Sequence, residues 1–230
     1  MNIKVFVHAT DICGNIDITL EQIDLLQKTG LLDKSEEVQI CTHYKEESYI
    51  QLMNNLYSYD NVVFKHFDES YKEWYEYTTC LELQKESNES VDDFYALYLH
   101  NKGAFTRTFG NYNWRKYMEY FCVEKWQECV EKLDGGYDLV GAAFKDYCVG
   151  NFFWAKGSYI KRCQQLVEPP KVDFKPQMAN QPHLRFDLEL WHASGNPKWY
   201  ELHSGQDQRW YLPPEAYRED MKESFIYSTT

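Results

Sequence analysis

The sequence predicts an α/β fold, one domain with a mainly parallel central sheet and helices on both faces. Short apolar segments of strand type alternate along the chain with longer segments in which apolar residues recur every three or four positions. One of the strand segments is apolar almost throughout, which is typical of a strand buried on both faces. Strands that alternate with helices need crossover connections, and such connections place the strands in parallel.

The strands are predicted from short runs of β-branched, aromatic and aliphatic residues that are bounded by polar or small residues. The first run ends in Ala9 and Thr10, and the fourth is the near-continuous apolar one. A further run follows Gly135 and Gly136, which end the helix before it. These runs predict strands over 3–8, 37–41, 62–64, 94–99 and 137–144.

The helices are predicted from apolar residues at helical spacing. The first has Gly30 where a helix C-cap belongs, and the longest carries one apolar stripe that includes Met118, Phe121 and Trp126, with Lys and Glu opposite. Prolines at 169 and 170 stop the last one. The spacing predicts helices over 17–28, 46–57, 74–86, 114–133 and 158–166.

Composition excludes several classes of protein. The chain has 230 residues and a net charge of −12, whereas a general nucleic-acid binder needs clustered Lys and Arg. No stretch approaches the roughly 18–20 apolar residues of a membrane helix. The first residues form too short an apolar run for a signal peptide, and the seven cysteines contain no Cys-x-x-Cys pair. We therefore expect a cytoplasmic protein with reduced cysteines, in the host cytoplasm if the chain is viral.

Familiar catalytic motifs are also missing from the sequence. It has no Gly-x-Gly-x-x-Gly after the first strand and no Gly-x-x-x-x-Gly-Lys-Ser/Thr, which weighs against a dinucleotide oxidoreductase and a P-loop enzyme. It has no Gly-x-Ser-x-Gly and no His-Glu-x-x-His either. The site must therefore be sought from the fold.

Ligands of open α/β sheets bind beyond the carboxyl ends of the strands, so the residues that follow each strand are candidates. The turn after the fourth strand combines a histidine, an amide, a compact positive charge and a glycine that permits close backbone approach, and this set suits an anionic diphosphate. The same residues also fit an ordinary strand-to-loop turn with a solvated lysine. The candidates for binding such a diphosphate at the strand ends are His8, Ala9, Thr10, His100, Asn101, Lys102, Gly103 and Arg107.

A second candidate surface is the aromatic stretch 150–154. Gly150 gives flexibility, Asn151 can make paired hydrogen bonds, and Trp154 offers an aromatic face for the C–H face of a sugar. Phe152 and Phe153 are more simply explained as core residues.

The stretch 183–191 largely alternates polar and apolar residues, a pattern that favours a strand. If it is a strand, His183, Arg185, Asp187 and Glu189 share one face. Such a face is either a solvated edge or a cleft wall that supplies a general base, for which Asp187 and Glu189 are the catalytic candidates.

Taken in order, these segments resemble a family of small glycosyltransferase-like proteins that includes the N-terminal glycosyltransferase domain of a chlorella-virus protein. The resemblance covers almost the whole chain. Its marks are Val5-Phe-Val-His8, Gln22 to Leu32, Tyr75-Glu-Tyr-Thr78, Leu97-Tyr-Leu-His-Asn-Lys-Gly103, Trp114-Arg115 with Met118-Glu119, Gly150-Asn-Phe-Phe-Trp-Ala155, and Glu189-Leu-Trp191.

The resemblance implies a GT-A-like fold, a single Rossmann-like domain over 1–230, and an enzyme that transfers a hexosyl or deoxyhexosyl group from a UDP- or GDP-type nucleotide sugar to a hydroxyl of a carbohydrate acceptor. The diphosphate-binding candidates at the strand ends would then be donor-binding residues. It implies a nucleotide-binding half of about 1–110, an acceptor-side half of about 111–218, and a peripheral tail, 219–230. Gly150, Asn151, Trp154 and Trp191 would then contact sugar or acceptor.

The family's usual metal motif is absent. GT-A enzymes hold Mn²⁺ or Mg²⁺ on an Asp-x-Asp, where this chain has His100-Asn101-Lys102. Either other groups bind the metal, with His100 and His203 as weak candidates, or Lys102 supplies the positive charge. Two alternatives stay open: a catalytically silent nucleotide- or carbohydrate-binding module, and a metal-dependent hydrolase or nucleotidyltransferase that uses histidines and carboxylates.

Overall fold

The structure is a computed structural model, and it describes residues 1–10, 16–43, 45–67, 76–104, 107–145, 148–167, 188, 190–203 and 212–219. Within these ranges, no helix is both long and apolar enough to cross a membrane.

A seven-stranded mixed sheet forms the centre of the described chain, in the order β3-β2-β1-β4-β6-β5-β7. Four strand pairings are parallel, and only β6 runs against its two neighbours. The strands are β1 Asn2–Ala9, β2 Glu37–Thr42, β3 Val62–His66, β4 Phe94–His100, β5 Leu139–Gly141, β6 Phe153–Lys156 and β7 Trp199–Glu201.

Helices cover both faces of this sheet. They are α1 Asp17–Lys28, α2 Leu31–Lys34, α3 Glu46–Leu56, α4 Tyr77–Glu89, α5 Phe109–Glu119, a π-helical segment Tyr120–Glu124, α6 Trp126–Asp134 and α7 Gly157–Ile160. A short 3₁₀ helix, Pro214–Ala216, lies near the end of the described chain.

The alternation of side chains along β1 divides the core into two clusters. Val5 and Val7 pack with α1, α3, α5 and α6, whereas Phe6 packs with α4 and α7 on the other face. Every residue of β4 is buried, because this strand lies in the middle of the sheet with helices on both sides. The predicted α/β class with a mostly parallel sheet and helices on both faces is therefore confirmed.

The first half of the chain follows its sequence pattern closely. Helix α1 has the predicted bounds, and the first four strands lie where the apolar runs predicted them, each longer by one or two residues. Helix α4 begins at Tyr77, and residues 74–75 of its predicted start lie outside the described ranges.

The long helix predicted over 114–133 is different in the structure. It begins earlier, at Phe109, where the Thr108 hydroxyl accepts a hydrogen bond from the Asn111 N–H and caps the helix. The π-helical segment then interrupts it. There, the Cys122 carbonyl accepts a hydrogen bond from the Trp154 indole at 2.7 Å, and the Phe121 carbonyl accepts one from the Cys129 thiol at 3.3 Å. Side chains that enter the helical hydrogen-bond ladder in this way favour a local π-bulge.

Several elements after Asp134 depart from the predictions. Strand β5 covers only Leu139–Gly141 of the predicted 137–144, and α7 is a single turn instead of a helix over 158–166. Strands β6 and β7 were not predicted. The strand predicted over 183–191 is wrong for its last part, since Leu188, Leu190 and Trp191 are helical, and 183–187 lie outside the described residues.

Gly150 is required by the packing of the turn before β6. Its φ is 87°, a left-handed conformation that favours glycine, and an added Cβ would lie 2.2 Å from the Met118 sulfur and 2.7 Å from the Trp114 indole nitrogen. The turn thus presses against α5 with no room for a side chain.

We expect Gly150→Ala to lower the free energy of unfolding by about 3 kcal/mol, since left-handed strain costs about 1–2 kcal/mol and overpacking costs about 1–3 kcal/mol. The matched control is Gly136→Ala, which has a similar φ of 91° but meets no atom within 4 Å. That variant should lose only about 1–2 kcal/mol. Urea unfolding of both proteins checks this, and equal losses would contradict the packing argument.

Candidate functional site

The candidate site lies at the carboxyl edge of the sheet, where β1 and β4 end side by side. These strands are parallel neighbours, and His8 is in register with His100. From β1 the chain passes through α1 to β2, which lies on one side of β1, whereas β4 lies on the opposite side of β1. The strand order therefore reverses between β1 and β4. Ligands of open α/β sheets bind at this kind of switch point.

A set of buried polar groups joins the ends of the two strands. The Asn101 N–H donates to the His8 carbonyl at 3.0 Å, and the Asn101 side-chain amide donates to the Thr10 carbonyl at 2.9 Å. The Gln22 amide of α1 donates to the His100 carbonyl at 2.9 Å. These bonds fix the start of the turn that leads to Lys102.

A cavity of about 480 Å³ opens beside this turn, a volume in the range of small-molecule sites. It lies between the N-terminal turns of α1 and α5. It is lined by Asp17, Ile18, Glu21, Lys102, Gly103, Arg107, Thr108, Phe109, Tyr112 and Arg115.

Lys102 brings a largely enclosed positive charge to the cavity wall. The residue is only 9% exposed, and its ammonium nitrogen lies 3.6 Å from the centre of the Trp114 ring, a close cation–π contact. Gly103 follows with a φ of 89°, which turns the chain sharply along the cavity. Arg107 is exposed and adds a second cation to the lining.

Arg115 lines the same cavity, but carboxylates neutralise its charge. Its guanidinium pairs with Glu21 at 2.8 Å and with the buried Glu119 at 3.2 Å, and Lys116 pairs with both carboxylates. Burial alone would raise the pKa of Glu21, but hydrogen bonds from Lys116 and Arg115 outweigh it and lower that pKa. The cations that can serve an anionic ligand are therefore Lys102 and Arg107.

Glu76, immediately before α4, places a carboxylate among the strand ends. Its Oε2 accepts hydrogen bonds from the Asn151 amide at 2.6 Å and from the Tyr98 hydroxyl at 3.1 Å, and it lies 3.7 Å from His100 Nδ1. Burial would raise the pKa of this carboxyl. The nearby His100 and His8, the Asn151 hydrogen bond and the charge of Lys102 together lower it to about 2. Glu76 is thus ionised at neutral pH.

His8 is neutral in the same surroundings. It is 2% exposed, and its Nδ1 is 3.0 Å from the Thr79 hydroxyl. Burial lowers its pKa to about 4, although the Glu76 charge acts in the opposite direction.

The donor-binding candidates divide into two groups. Lys102, Gly103 and Arg107 line the cavity. The others lie among the strand ends, where His8, Ala9, His100 and Asn101 are buried and Thr10 is partly buried. These residues form the carboxyl edge of the sheet, next to the turn that carries Lys102.

The sugar-binding candidates do not form an exposed aromatic platform. Trp154 is fully buried in β6 with its indole bonded to Cys122, and Trp191 is 4% exposed with its indole donating to the Gln164 carbonyl at 2.8 Å. The aromatic face predicted at Trp154 therefore lies inside the core, and Trp191, the other tryptophan proposed to contact sugar or acceptor, is buried as well. Gly150 and Asn151 lie in the tight turn beside Glu76 and Trp114.

The weak metal candidates lie apart in the sheet. His203 follows β7, three strands away from β4, which is about 14 Å at the usual spacing between strands. Its ring stacks on Phe121 and approaches the Tyr117 hydroxyl at 3.0 Å. Among the described residues, no three His, Cys, Asp or Glu side chains gather closely enough to hold a metal ion. The catalytic candidates Asp187 and Glu189 lie outside the described residues.

Sequence reasoning missed two features of the site. The first is a group of three cavity residues at the start of α5: Thr108, Phe109 and Tyr112. They were missed because the helix was predicted to begin at residue 114, whereas α5 begins at Phe109. The signal that could have shown this is Thr108, a good N-cap residue. The second is Glu76, which the sequence analysis names only as part of Tyr75-Glu-Tyr-Thr78. Its hydrogen-bond partners come from distant segments of the chain, so no local pattern indicates them.

Comparison with known proteins places the chain in a family. The family model described as a domain of unknown function (DUF8361) matches residues 3–217, so the chain belongs to that family. No curated protein matches the chain.

Acid should destabilise the fold through His8. Because its pKa is about 4 when folded and near 6.5 when unfolded, the unfolded state binds more protons between these values, and stability falls as the pH falls through them. From pH 7 to pH 5 this single residue should cost about 2 kcal/mol. We expect His8→Asn to lose about 2 kcal/mol less over that interval, as measured by urea unfolding at both pH values.

The control is Val7→Ala, which loosens the packing of the same strand without removing a proton-binding group. Val7 is fully buried, so this variant should be less stable by a similar amount at both pH values. An unchanged pH dependence in His8→Asn would show that His8 is not held neutral.

Proposed function

We propose that this DUF8361 protein is a glycosyltransferase of GT-A type, which moves a sugar from a nucleotide-sugar donor to a hydroxyl of a carbohydrate acceptor. The observation that carries the proposal is the position of Lys102, enclosed in the wall of a cavity at the switch point between β1 and β4. The resemblance of the turn motif to glycosyltransferase-like proteins gives the reaction class.

The charges of the cavity suit a diphosphate. Lys102 and Arg107 provide positive charge, and the first N–H groups of α5 add the positive end of a helix dipole at Thr108 and Phe109. An acidic protein with a net charge of −12 would otherwise repel such a ligand. A locally cationic cavity therefore supports an anionic substrate.

The rim of the cavity suits a planar ring. Phe109 is 79% exposed and Tyr112 is 49% exposed, three residues apart on one side of α5. Exposed aromatic side chains beside a cationic cavity can stack on a nucleobase or on the apolar face of a sugar.

In the proposed reaction, the bond between the anomeric carbon and the terminal phosphate oxygen of the donor breaks. The departing diphosphate takes the bonding electrons and gains negative charge, which Lys102 and Arg107 stabilise. The acceptor hydroxyl bonds to the anomeric carbon and loses its proton to a general base, for which Asp187 and Glu189 remain the sequence-based candidates.

A Mn²⁺ or Mg²⁺ ion has no matching ligand set among the described residues. Of the carboxylates in the cavity wall, Glu21 is held by Arg115 and Lys116, and the two candidate histidines lie three strands apart. Hard cations prefer several oxygen ligands together. The described residues of the cavity therefore do not fit such an ion.

Nucleotide binding should depend on Lys102. We expect UDP or GDP to bind more tightly than the corresponding monophosphate, and Lys102→Met to weaken diphosphate binding roughly 10- to 100-fold, the usual effect of losing a charge-assisted contact. Lys198→Met is the matched control, since Lys198 also lies over an aromatic ring, 4.5 Å from the centre of Tyr137, but is exposed outside the cavity. Isothermal titration calorimetry of wild type, Lys102→Met and Lys198→Met measures the Kd of each nucleotide.

Turnover of a panel of nucleotide sugars then separates catalysis from binding. Release of the nucleotide diphosphate by wild type, strongly reduced in Lys102→Met, supports the transferase. Binding without release would favour a silent binding module. Failure of both diphosphates to bind, or equal binding by wild type and Lys102→Met, would contradict the proposal.

A further inference from the structure

Glu76 has no part in the reaction proposed above, yet it occupies a central place beside the site. Its side chain is 13% exposed, and its carboxylate connects the start of α4 with β4, through Tyr98, and with the turn before β6, through Asn151. A buried carboxylate is costly unless other groups compensate it, so its position needs a reason.

The carboxylate determines how the Asn151 side chain is oriented. An ionised carboxylate can only accept hydrogen bonds, so the amide must present its Nδ2 to Glu76, at 2.6 Å. Asn151 has a φ of 61°, which is an uncommon backbone conformation for a residue with a side chain. Glu76 thus anchors a strained residue of the turn.

The Gly150–Asn151 turn packs against Trp114. Gly150, next to Asn151, packs so tightly that an added Cβ would be 2.7 Å from the Trp114 indole nitrogen. A shift of this turn would therefore require the Trp114 ring to move as well.

Trp114 makes the cation–π contact with Lys102, whose ammonium nitrogen lies 3.6 Å from the centre of the Trp114 ring. Lys102 also interacts with Glu76 through charge, since its ammonium helps to lower the pKa of the Glu76 carboxyl. Glu76 is therefore linked to Lys102 by a chain of contacts and by charge.

We propose that Glu76 is a positioning residue, which holds Lys102 at the cavity by anchoring the Gly150–Asn151 turn beneath Trp114. The consequence for ligand binding rests on the proposed function, whereas the position of Lys102 can be tested without any ligand.

The position of Lys102 is visible by NMR in protein labelled with ¹³C-lysine. Protons close to the face of an indole ring are shifted upfield, so the ε-protons of Lys102 should resonate upfield of ordinary lysines. Lys102→Met should remove this signal and Trp114→Leu should remove its shift, which together assign it.

We expect Glu76→Ala to move the Lys102 signal to the position of an ordinary lysine. Glu76→Gln keeps an oxygen that can accept the hydrogen bonds and should retain most of the shift. Asn151→Gly removes the hydrogen bond between Asn151 and Glu76 at its donor, and glycine adopts the positive φ of this position easily. This variant replaces Glu76→Ala in the test if Glu76→Ala does not fold. Glu82→Ala is the matched control, because Glu82 lies on α4, is also 13% exposed and pairs with Lys65 and Lys85 instead.

Binding provides the second readout, through a double-mutant cycle with UDP and GDP as probes. Glu76→Ala should weaken binding roughly tenfold in the wild-type background but less than about twofold in the Lys102→Met background, because its effect acts through Lys102. An effect of Glu76→Ala that persists in full without Lys102 would contradict the proposal.

The proposal is also wrong if the Lys102 signal stays in place in both Glu76→Ala and Asn151→Gly, or if Glu82→Ala moves it as far. It is wrong as well if Glu76→Gln loses the shift as fully as Glu76→Ala. If wild type binds neither diphosphate, the proposed function fails, and the NMR result alone then decides the role of Glu76.

Discussion

The structure depends on how two buried parallel strands end. Strands β1 and β4 lie in the middle of the sheet, so their last carbonyl groups have little access to water and must find partners inside the protein. Gln22 and Asn101 supply these partners for His100, His8 and Thr10. The concentration of polar side chains at this edge is therefore first a requirement of the fold. A cavity at the same edge then has oriented polar groups close to it, which is why ligands so often bind where such strands end.

The balance of charge around the cavity follows from the same burial. Arg115, Lys116, Glu21 and Glu119 compensate one another, and the guanidinium and the Glu119 carboxylate are almost inaccessible to water. Buried charges persist only when they are paired in this way. The four together therefore contribute little net charge, and the other charged residues in the described part of the lining are Lys102, Arg107 and Asp17. A chain with a strong negative net charge can thus contain a cationic site.

The fold was predictable from sequence wherever one pattern dominated. The apolar run of β4 and the helical spacing of α1 each specify one element, and both lie where they were predicted. Prediction failed where distant residues decide the local structure. The π-helical segment after α5 depends on Trp154 and Cys129. Strand β6 begins with Phe153 and Trp154, of which the sequence indicated the first as a core residue and the second as part of a binding surface. The alternation over 183–191 ended in helical residues, since period alone does not fix the conformation of a short segment.

The candidate site was predictable to the extent that it follows the strands directly. Lys102 and Gly103 come immediately after β4, and their place at the sheet edge follows from the topology. Glu76 could not be found in this way, because it lies at the start of α4 and its importance comes from Tyr98 and Asn151, which are 22 and 75 residues away in sequence. A sequence pattern records the period of an element and the residues at its ends. It does not record which distant segments meet there, and it is that meeting which gives an otherwise ordinary glutamate a buried, ionised and structurally central position.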